Sequence, residues 1–222
     1  MHCIARKVSG LTSIRLICRM VVCILLSPPF LLASDNKREN EEQPILLIEP
    51  SFLRPPISHL IPGAERTIIV PATMKKNNIF PPILSFLKPG WKTLHHSDMS
   101  RFVQGARSHL SETLASLHPK FLRDEHHVIQ VALLESTDPL ASVTASTILA
   151  PDFANGFMNI FGPELLLAIP CANRVYVFSK LASPLESIAP AIRDDYKLSP
   201  SPVSTEIFEL SNGRLRAIGS LD

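Results

Sequence analysis

The stretch from Leu165 to Lys180 holds two β-prone runs on either side of a short turn, and it constrains the fold more than any other part of the chain. Leu165–Ile169 is an uninterrupted apolar run, and the prolines around it leave too little room for a stable helix. Arg174–Phe178 follows, and its β-branched and aromatic residues suit a pleated sheet surface. We predict an antiparallel hairpin at the centre of a sheet, with Pro170 ending the first strand and a loop of about four residues.

Proline is frequent, and its distribution limits the length of every element. The 222 residues contain 20 Pro, spread along the chain instead of gathered in one tract. Because proline removes a backbone donor and ends helices, this spacing indicates many short elements and argues against a long helical bundle. With 45% hydrophobic and 19% charged residues, the composition is globular. The length allows one good-sized domain or two small ones.

Three helices are predicted from apolar spacing and capping residues. The clearest runs from about Asp98 to Leu117, where apolar residues recur on one face. A shorter one spans Asp152–Phe161, with Gly162 after its end. The capping box Ser183-Pro184-Leu185-Glu186 opens a third, which Pro190 should kink or interrupt.

Further β-prone runs predict strands before and between these helices. They are Ile45–Ile48 as an edge strand, Thr67–Val70, Val128–Leu134 and Ser142–Leu149. Pro71 is expected to stop the second of these strands. Met74–Asn78 is expected to form a turn after it.

The chain closes with the pattern of a tight hairpin. Asn212-Gly213 lies between the β-prone runs Glu206–Leu210 and Leu215–Ile218. This dipeptide predicts a two-residue type I′ turn with positive φ at both positions, and Leu210 opposite Leu215. The order of elements favours an α+β fold, a mostly antiparallel mixed sheet with about three helices packed on it.

The first 34 residues have the order of a secretory signal. Met1–Arg19 carries four Lys and Arg and no acidic residue, and Met20–Ala33 is apolar. The apolar stretch is too short for an ordinary transmembrane helix, and Pro28-Pro29 would break one. We predict that residues 1–34 are a signal peptide or N-terminal hydrophobic leader. An uncleaved membrane anchor, or a true start at Met20, are the alternatives.

This interpretation sets the expected domain organisation and location. Residues 35–43 are polar and predict a disordered linker, and residues 44–222 predict a single α+β domain. The expected location is secreted or periplasmic, with no stable membrane span after cleavage. Without the four basic residues of the leader, 18 of the 22 Lys and Arg remain against 20 Asp and Glu. Such a near-neutral chain is not typical of a nucleic-acid binder. The sequence defines no partner, although an exported domain makes an envelope protein one candidate.

The segment from Val143 to Phe178 resembles a known family. A small-residue and aliphatic run ends in Pro151, a short helix follows, and a second run ends in Pro170. This order is similar to that of the YtpQ-like family of bacterial proteins of unknown function, mainly over the C-terminal half. After the second proline the family has an Arg-Asp pair, whereas this chain has Ala172-Asn173 and a displaced Arg174. The resemblance implies a fold and supplies no mechanism.

Catalytic candidates are few. Cys171 is the single cysteine outside the leader, and it is expected to be buried, reactive or paired with another chain. Cys171 and Arg174, at the predicted hairpin tip, are the weak catalytic candidates. Arg101, Arg107 and Arg123 are expected to be solvated charges and not an anion site. The favoured function is a non-catalytic binding or interaction domain. The alternative is a small hydrolase-like or thiol enzyme using Cys171 or a histidine cluster.

Metal-ligand residue types occur in two small clusters. His96 and Asp98 lie in one, and His127 lies beside a second histidine and two acidic residues in the other. These three are weak candidates, because adjacent histidines on a strand face opposite ways and no HExxH spacing occurs. The chain also lacks a glycine-rich phosphate loop. We therefore expect no metal and no cofactor.

The leader makes a prediction about the mature protein. Cell fractionation should place it outside the cytoplasm, and Edman sequencing should give an N-terminus near Asp35, because the charged and apolar segments direct export. A cytoplasmic protein that keeps Met1 or Met20 would contradict this expectation.

Overall fold

The computed structural model describes residues 42–75, 83–90, 99–137, 143–181 and 184–222. These ranges fall in one unit, Glu39–Asp222. Within them the chain forms two antiparallel sheets and three α-helices, so the predicted α+β class is confirmed. None of these helices is long and apolar enough to cross a membrane.

The first sheet is built around one long strand. Its strands are β1 (Glu42–Pro50), β2 (His59–Leu60), β3 (Thr67–Lys75) and β4 (Ile83–Phe86). β3 pairs with β1 on one side, and with β2 and β4 on the other. The predicted edge strand at Ile45–Ile48 is therefore confirmed, although β1 already begins at Glu42.

The expectation that Pro71 stops the second strand is wrong. β3 runs through Pro71 to Lys75. Pro71 lies between the residues that pair with β2 and those that pair with β4. A missing backbone N–H is tolerated at such a gap in the ladder. Met74, where the expected turn Met74–Asn78 begins, belongs to β3. Residues 76–78 lie outside the described residues.

The second sheet contains the predicted central hairpin. Its strands are β5 (Lys120–Arg123), β6 (Ile129–Glu135), β7 (Glu164–Cys171), β8 (Arg174–Ser179), β9 (Glu206–Ser211) and β10 (Arg214–Ser220). The order is β10-β9-β7-β8-β6-β5, so β7 and β8 lie in the middle. Leu167 lies opposite Val177, and both side chains are fully buried, which confirms the pairing.

The loop of this hairpin is shorter than expected. β7 continues through Pro170 to Cys171, which pairs with Arg174, so the turn consists of Ala172 and Asn173 alone. The register shifts between Ala168 and Cys171. Such an irregularity lets a proline remain in a strand, because its missing donor falls where the ladder is already interrupted.

The three helices follow the apolar patterns. They are α1 (Met99–Ser116), α2 (Phe153–Phe161) and α3 (Leu185–Leu198). Gly162 ends α2 with a φ of 86°, which glycine adopts without the steric penalty of a Cβ. The expected break at Pro190 does not occur, because α3 continues through it. Pro190 is exposed, so water can hydrogen-bond the carbonyl that loses its partner.

The predicted strand at Ser142–Leu149 is wrong. Ala145–Leu149 forms a 3₁₀ helix, called here the 3₁₀ segment. Its hydroxyl groups explain the difference: Thr147 Oγ1 donates to the carbonyl of Thr144, and Ser146 Oγ accepts from the N–H of Ile48. The Thr147 bond satisfies a backbone carbonyl locally and competes with a strand ladder, whereas the Ser146 bond joins the segment to β1.

Two hydrophobic cores lie on opposite faces of β7. Leu165, Leu167 and Ile169 pack into the larger core with β1, β3, α1 and α2. Leu166 and Ala168 pack into a smaller core beneath α3. Burial on both faces explains why β7 is an uninterrupted apolar run instead of an alternating one.

A buried carboxylate connects the two sheets. Glu206, at the start of β9, is 4% exposed. Its Oε1 accepts from the N–H groups of Glu65 at 2.7 Å and Arg66 at 3.1 Å. Its Oε2 accepts from the hydroxyls of Thr67 at 2.6 Å and Ser204 at 3.1 Å. Four donors therefore satisfy one buried charge and hold the start of β3 beside the start of β9.

The closing hairpin has the predicted register and turn. Leu210 lies opposite Leu215, and Ser211 opposite Arg214. Asn212 has a φ of 49° and Gly213 a φ of 70°, so both central residues are left-handed, as a type I′ turn requires.

Gly213 allows a test of this turn with a matched control. A Cβ on Gly213 or on Gly219 would meet no atom within 4 Å, but Gly213 alone of the two has a left-handed φ. We expect Gly213→Val to lower the free energy of unfolding by about 1–3 kcal/mol and Gly219→Val to change it little, because only the first is strained. Urea unfolding measures both, and equal effects would contradict the role of the turn.

Candidate functional site

The turn between β7 and β8 carries both catalytic candidates. Cys171 is the last residue of β7 and pairs with Arg174, the first residue of β8. Cys171 is only 3% exposed, and its Sγ donates to Asn173 Oδ1 at 3.1 Å. The structure thus brings the two candidates together, but it buries the thiol.

The surroundings of Cys171 do not activate it. Burial raises the pKa of the Cys171 thiol above its ordinary value. A nucleophilic cysteine needs the opposite shift, because the thiolate is the reactive form. The other described groups that act on this pKa are Ser199, Asp195, Arg174 and Asn173, and none of them is a histidine. The described surroundings of the thiol therefore show no Cys–His pair.

Arg174 is held in an ion network that spans four elements. Its guanidinium donates to Asp195 on α3 and to Glu135 Oε1 on β6, the latter at 3.1 Å. Tyr176 donates its hydroxyl to Asp195 at 2.6 Å, and Lys120 on β5 donates to Glu135 at 3.0 Å. Lys120 and Arg174 hold the pKa of the Glu135 carboxyl below its ordinary value. Two protein carboxylates already bind Arg174, so its guanidinium stabilises the fold and is not available to bind an anionic ligand.

The metal candidates do not form a described site. His127 lies in the turn between β5 and β6 with a φ of 62°. The Asp124 carboxylate beside it accepts from the N–H groups of His126 and Val128 and from Gln130. His96 and Asp98 lie outside the described residues. Among the residues that the structure describes, no three His, Cys, Asp or Glu are grouped so that they could hold a metal ion.

Two adjoining cavities form a different candidate site. The α1 groove, about 750 Å³, runs along the outer face of α1 and is lined by Met99, Ser100, Val103, Gln104, Arg107, Ser108, Ser111 and Pro151. The apolar pit, about 380 Å³, is lined by Ile69, Arg107, Ile148, Leu149, Ala150, Pro151, Ala154, Leu210, Gly213 and Leu215. Arg107 and Pro151 line both, so the two cavities meet at these residues.

Six elements build the apolar pit. The 3₁₀ segment contributes Ile148 and Leu149, β3 contributes Ile69, α2 contributes Ala154 and α1 contributes Arg107. Leu210 of β9 and Leu215 of β10 face each other in the closing hairpin, and Ala150 and Pro151 lie between the 3₁₀ segment and α2. The pit therefore exists only where the first sheet, α2 and the end of the second sheet meet.

Arg107 lies where the α1 groove and the apolar pit meet, and among the described residues its guanidinium is free to bind a ligand. It is exposed on α1, as expected, although the sequence analysis predicted no anion site there. Among the described residues it has neither a hydrogen-bond nor an ion-pair partner. The nearby carboxylate of Asp152 already accepts a hydrogen bond from Ser111 at 2.6 Å. An unpaired guanidinium beside an apolar cavity can bind an anionic group.

Sequence reasoning missed this site for a clear reason. The spacing of Met99, Val103 and Arg107 by four residues places them on one side of α1. That spacing was visible, but the opposite wall comes from Pro151 and from residues near position 210, far away in the chain. No local pattern shows that these segments meet.

Comparisons with known proteins bring no family to this site. No family model, curated protein or solved structure matches the chain. Function is therefore inferred from the chain's own geometry.

Glu49 is a further perturbed group, on β1 opposite Ile68. Burial raises the pKa of its carboxyl to about 7, from an ordinary value of 4.5. The folded state therefore favours the protonated form. The stabilising contribution of that proton is fully present below pH 4.5 and is lost as the pH rises through 7.

Glu49→Gln tests this linkage. We expect the variant to unfold with a free energy on the order of 1–2 kcal/mol higher than the wild type at pH 8, and nearly equal to it at pH 4, because the amide carries no charge to bury. Urea unfolding at the two pH values measures the difference. Glu42→Gln is the control, since Glu42 is an exposed residue of the same strand. Parallel pH profiles for wild type and Glu49→Gln would contradict the shift.

Proposed function

We propose that the chain is an exported, non-catalytic binding domain whose ligand lies in the α1 groove and the apolar pit. The observation that carries this proposal is the junction at Arg107 and Pro151, where two adjoining cavities, each with polar and apolar lining, share these residues. The secreted or periplasmic location follows the interpretation of residues 1–34 as a signal peptide. The resemblance to the YtpQ-like family stays a prediction.

The size and lining of the two cavities support a binding role. Ligand sites in proteins are commonly concave, about 300–1,000 Å³, and mainly apolar with a few polar groups that orient the ligand. The apolar pit falls in that range at about 380 Å³. Gln104, Ser108 and Arg107 on α1 supply polar groups beside it. These residues stand on a regular helix, so their positions are set before a ligand arrives.

The alternative of a thiol enzyme lacks support from the geometry. The Cys171 thiol is buried, and its pKa is raised. Arg174 already binds Glu135 and Asp195. Hydrolysis by a thiol needs an activated nucleophile with a base in reach, and the described surroundings of Cys171 provide neither. The β7–β8 turn is therefore proposed as a structural junction.

A thermal-shift screen with matched variants tests the proposal. The folded chain is heated with a panel of fatty acids, sugars, nucleotides, amino acids and short peptides. A ligand at 100 times its Kd should raise Tm by roughly 5–10 °C, because it stabilises the folded state by about 2.7 kcal/mol. Ala154→Leu should remove this rise by filling the apolar pit, which Ala154 lines. Asn155→Leu adds the same side chain at an exposed position of α2 and should keep it.

Cys171→Ala separates the two function classes. A binding domain should keep its ligand-induced shift in this variant, because the thiol does not line either cavity. Turnover of a panel compound that Cys171→Ala abolishes, or a panel in which no compound gives a shift sensitive to Ala154→Leu, would contradict the proposal.

A further inference from the structure

We propose that the ligand is a small amphiphile with one anionic head and one aliphatic chain. This inference rests on the binding function proposed above and names its ligand class. The head lies at Arg107 in the α1 groove, and the chain lies in the apolar pit.

The charge of the head follows from Arg107. Its guanidinium is exposed, and among the described residues nothing neutralises it. A guanidinium presents several donors in a planar fork that fits a carboxylate or phosphate. Ser108 and Gln104, also in the groove lining, can add hydrogen bonds to the same head. Asp152 does not line either cavity, and one of its oxygens accepts a hydrogen bond from Ser111.

The aliphatic nature of the chain follows from the lining of the apolar pit. Ile69, Ile148, Leu149, Leu210 and Leu215 surround it, and Arg107 is the one charged side chain in its lining. An aliphatic chain loses no hydrogen bond there and gains from every methylene that leaves water.

The joining of head and chain in one molecule follows from the shared lining. Arg107 and Pro151 border both cavities, so a head bound at Arg107 has the pit directly beside it. The pit of about 380 Å³ suits one short chain and not the two chains of a typical lipid. A medium-chain carboxylate has the charge, the shape and the size that this junction can hold.

Displacement of a fluorescent probe tests the ligand class. Dansyl-labelled undecanoate is bound to the full chain and displaced by octanoate, decanoate, decanol or decyltrimethylammonium, each below its micelle concentration. Decanoate should bind roughly 15-fold tighter than octanoate, since each buried methylene contributes about fourfold in Kd. Decyltrimethylammonium should displace the probe at least tenfold more weakly than decanoate, because its charge is repelled by Arg107.

Two variants assign the head and the chain separately. Arg107→Gln should weaken decanoate about tenfold and keep the ratio between decanoate and octanoate. Ala154→Leu should remove that ratio, because the added side chain occupies the pit. Arg101→Gln and Asn155→Leu are the controls, since both residues are exposed on the same helices and neither lines the cavities. Both controls should bind as the wild type does.

A vesicle arm distinguishes a free amphiphile from a membrane lipid. Co-sedimentation with phosphatidylglycerol vesicles that Arg107→Gln weakens would assign the anionic chain to a lipid. Displacement by decanoate without co-sedimentation would assign it to a free acid. The first result would contradict a ligand with one short chain, and the second supports it.

The opposite results overturn the inference in distinguishable ways. If decanol or decyltrimethylammonium binds as tightly as decanoate and Ala154→Leu weakens them, the anionic head is wrong while the groove remains a binding site. If the probe does not bind, but another compound in the thermal-shift panel binds and responds to Ala154→Leu, the ligand class is wrong and the binding function stands. If no compound responds to Ala154→Leu in either experiment, both proposals fail.

Discussion

The buried carboxylate of Glu206 is the interaction on which the arrangement of the two sheets depends. Two backbone N–H groups, from Glu65 and Arg66, and two hydroxyls, from Thr67 and Ser204, donate to it. A buried carboxylate without such partners would be strongly destabilised. The chain before β3 is therefore bound to the start of β9 at one defined place. A second contact supports it, where the N–H of Ala217 donates to the carbonyl of residue 62.

The candidate site inherits its shape from this connection. Ile69 is two residues beyond Thr67 on β3, and Leu210 is four residues beyond Glu206 on β9. Both side chains line the apolar pit. Because Glu206 fixes where the two strands begin, it also fixes how far apart these residues stand. The geometry of the pit is thus set by a polar contact that lies outside it.

The sequence predicted those features that depend on neighbouring residues. An unbroken apolar run predicted that β7 is buried on both faces. The Asn-Gly dipeptide predicted the turn at Asn212-Gly213, because it favours the positive φ angles that this turn has. The wrong predictions concern residues whose local structure is determined by contacts with segments far away in the chain. Pro71 is tolerated because of a gap between β2 and β4, and Ser146 leaves the strand pattern because its hydroxyl accepts from the N–H of Ile48. The α1 groove belongs to the same group, since its walls come from segments far apart in the chain.

One face of α1 packs in the core and the other lines the groove. This division affects which substitutions the domain can accept. Phe102, Ala106 and Leu110 are buried in the larger core, whereas Gln104 and Ser108 are exposed in the groove. Surface substitutions of the second kind usually alter stability by no more than about 0.5 kcal/mol. In the proposed binding domain, ligand preference can therefore change through exposed positions of α1 while the helix stays anchored. A domain built in this way is free to acquire new binding specificities without first becoming more stable.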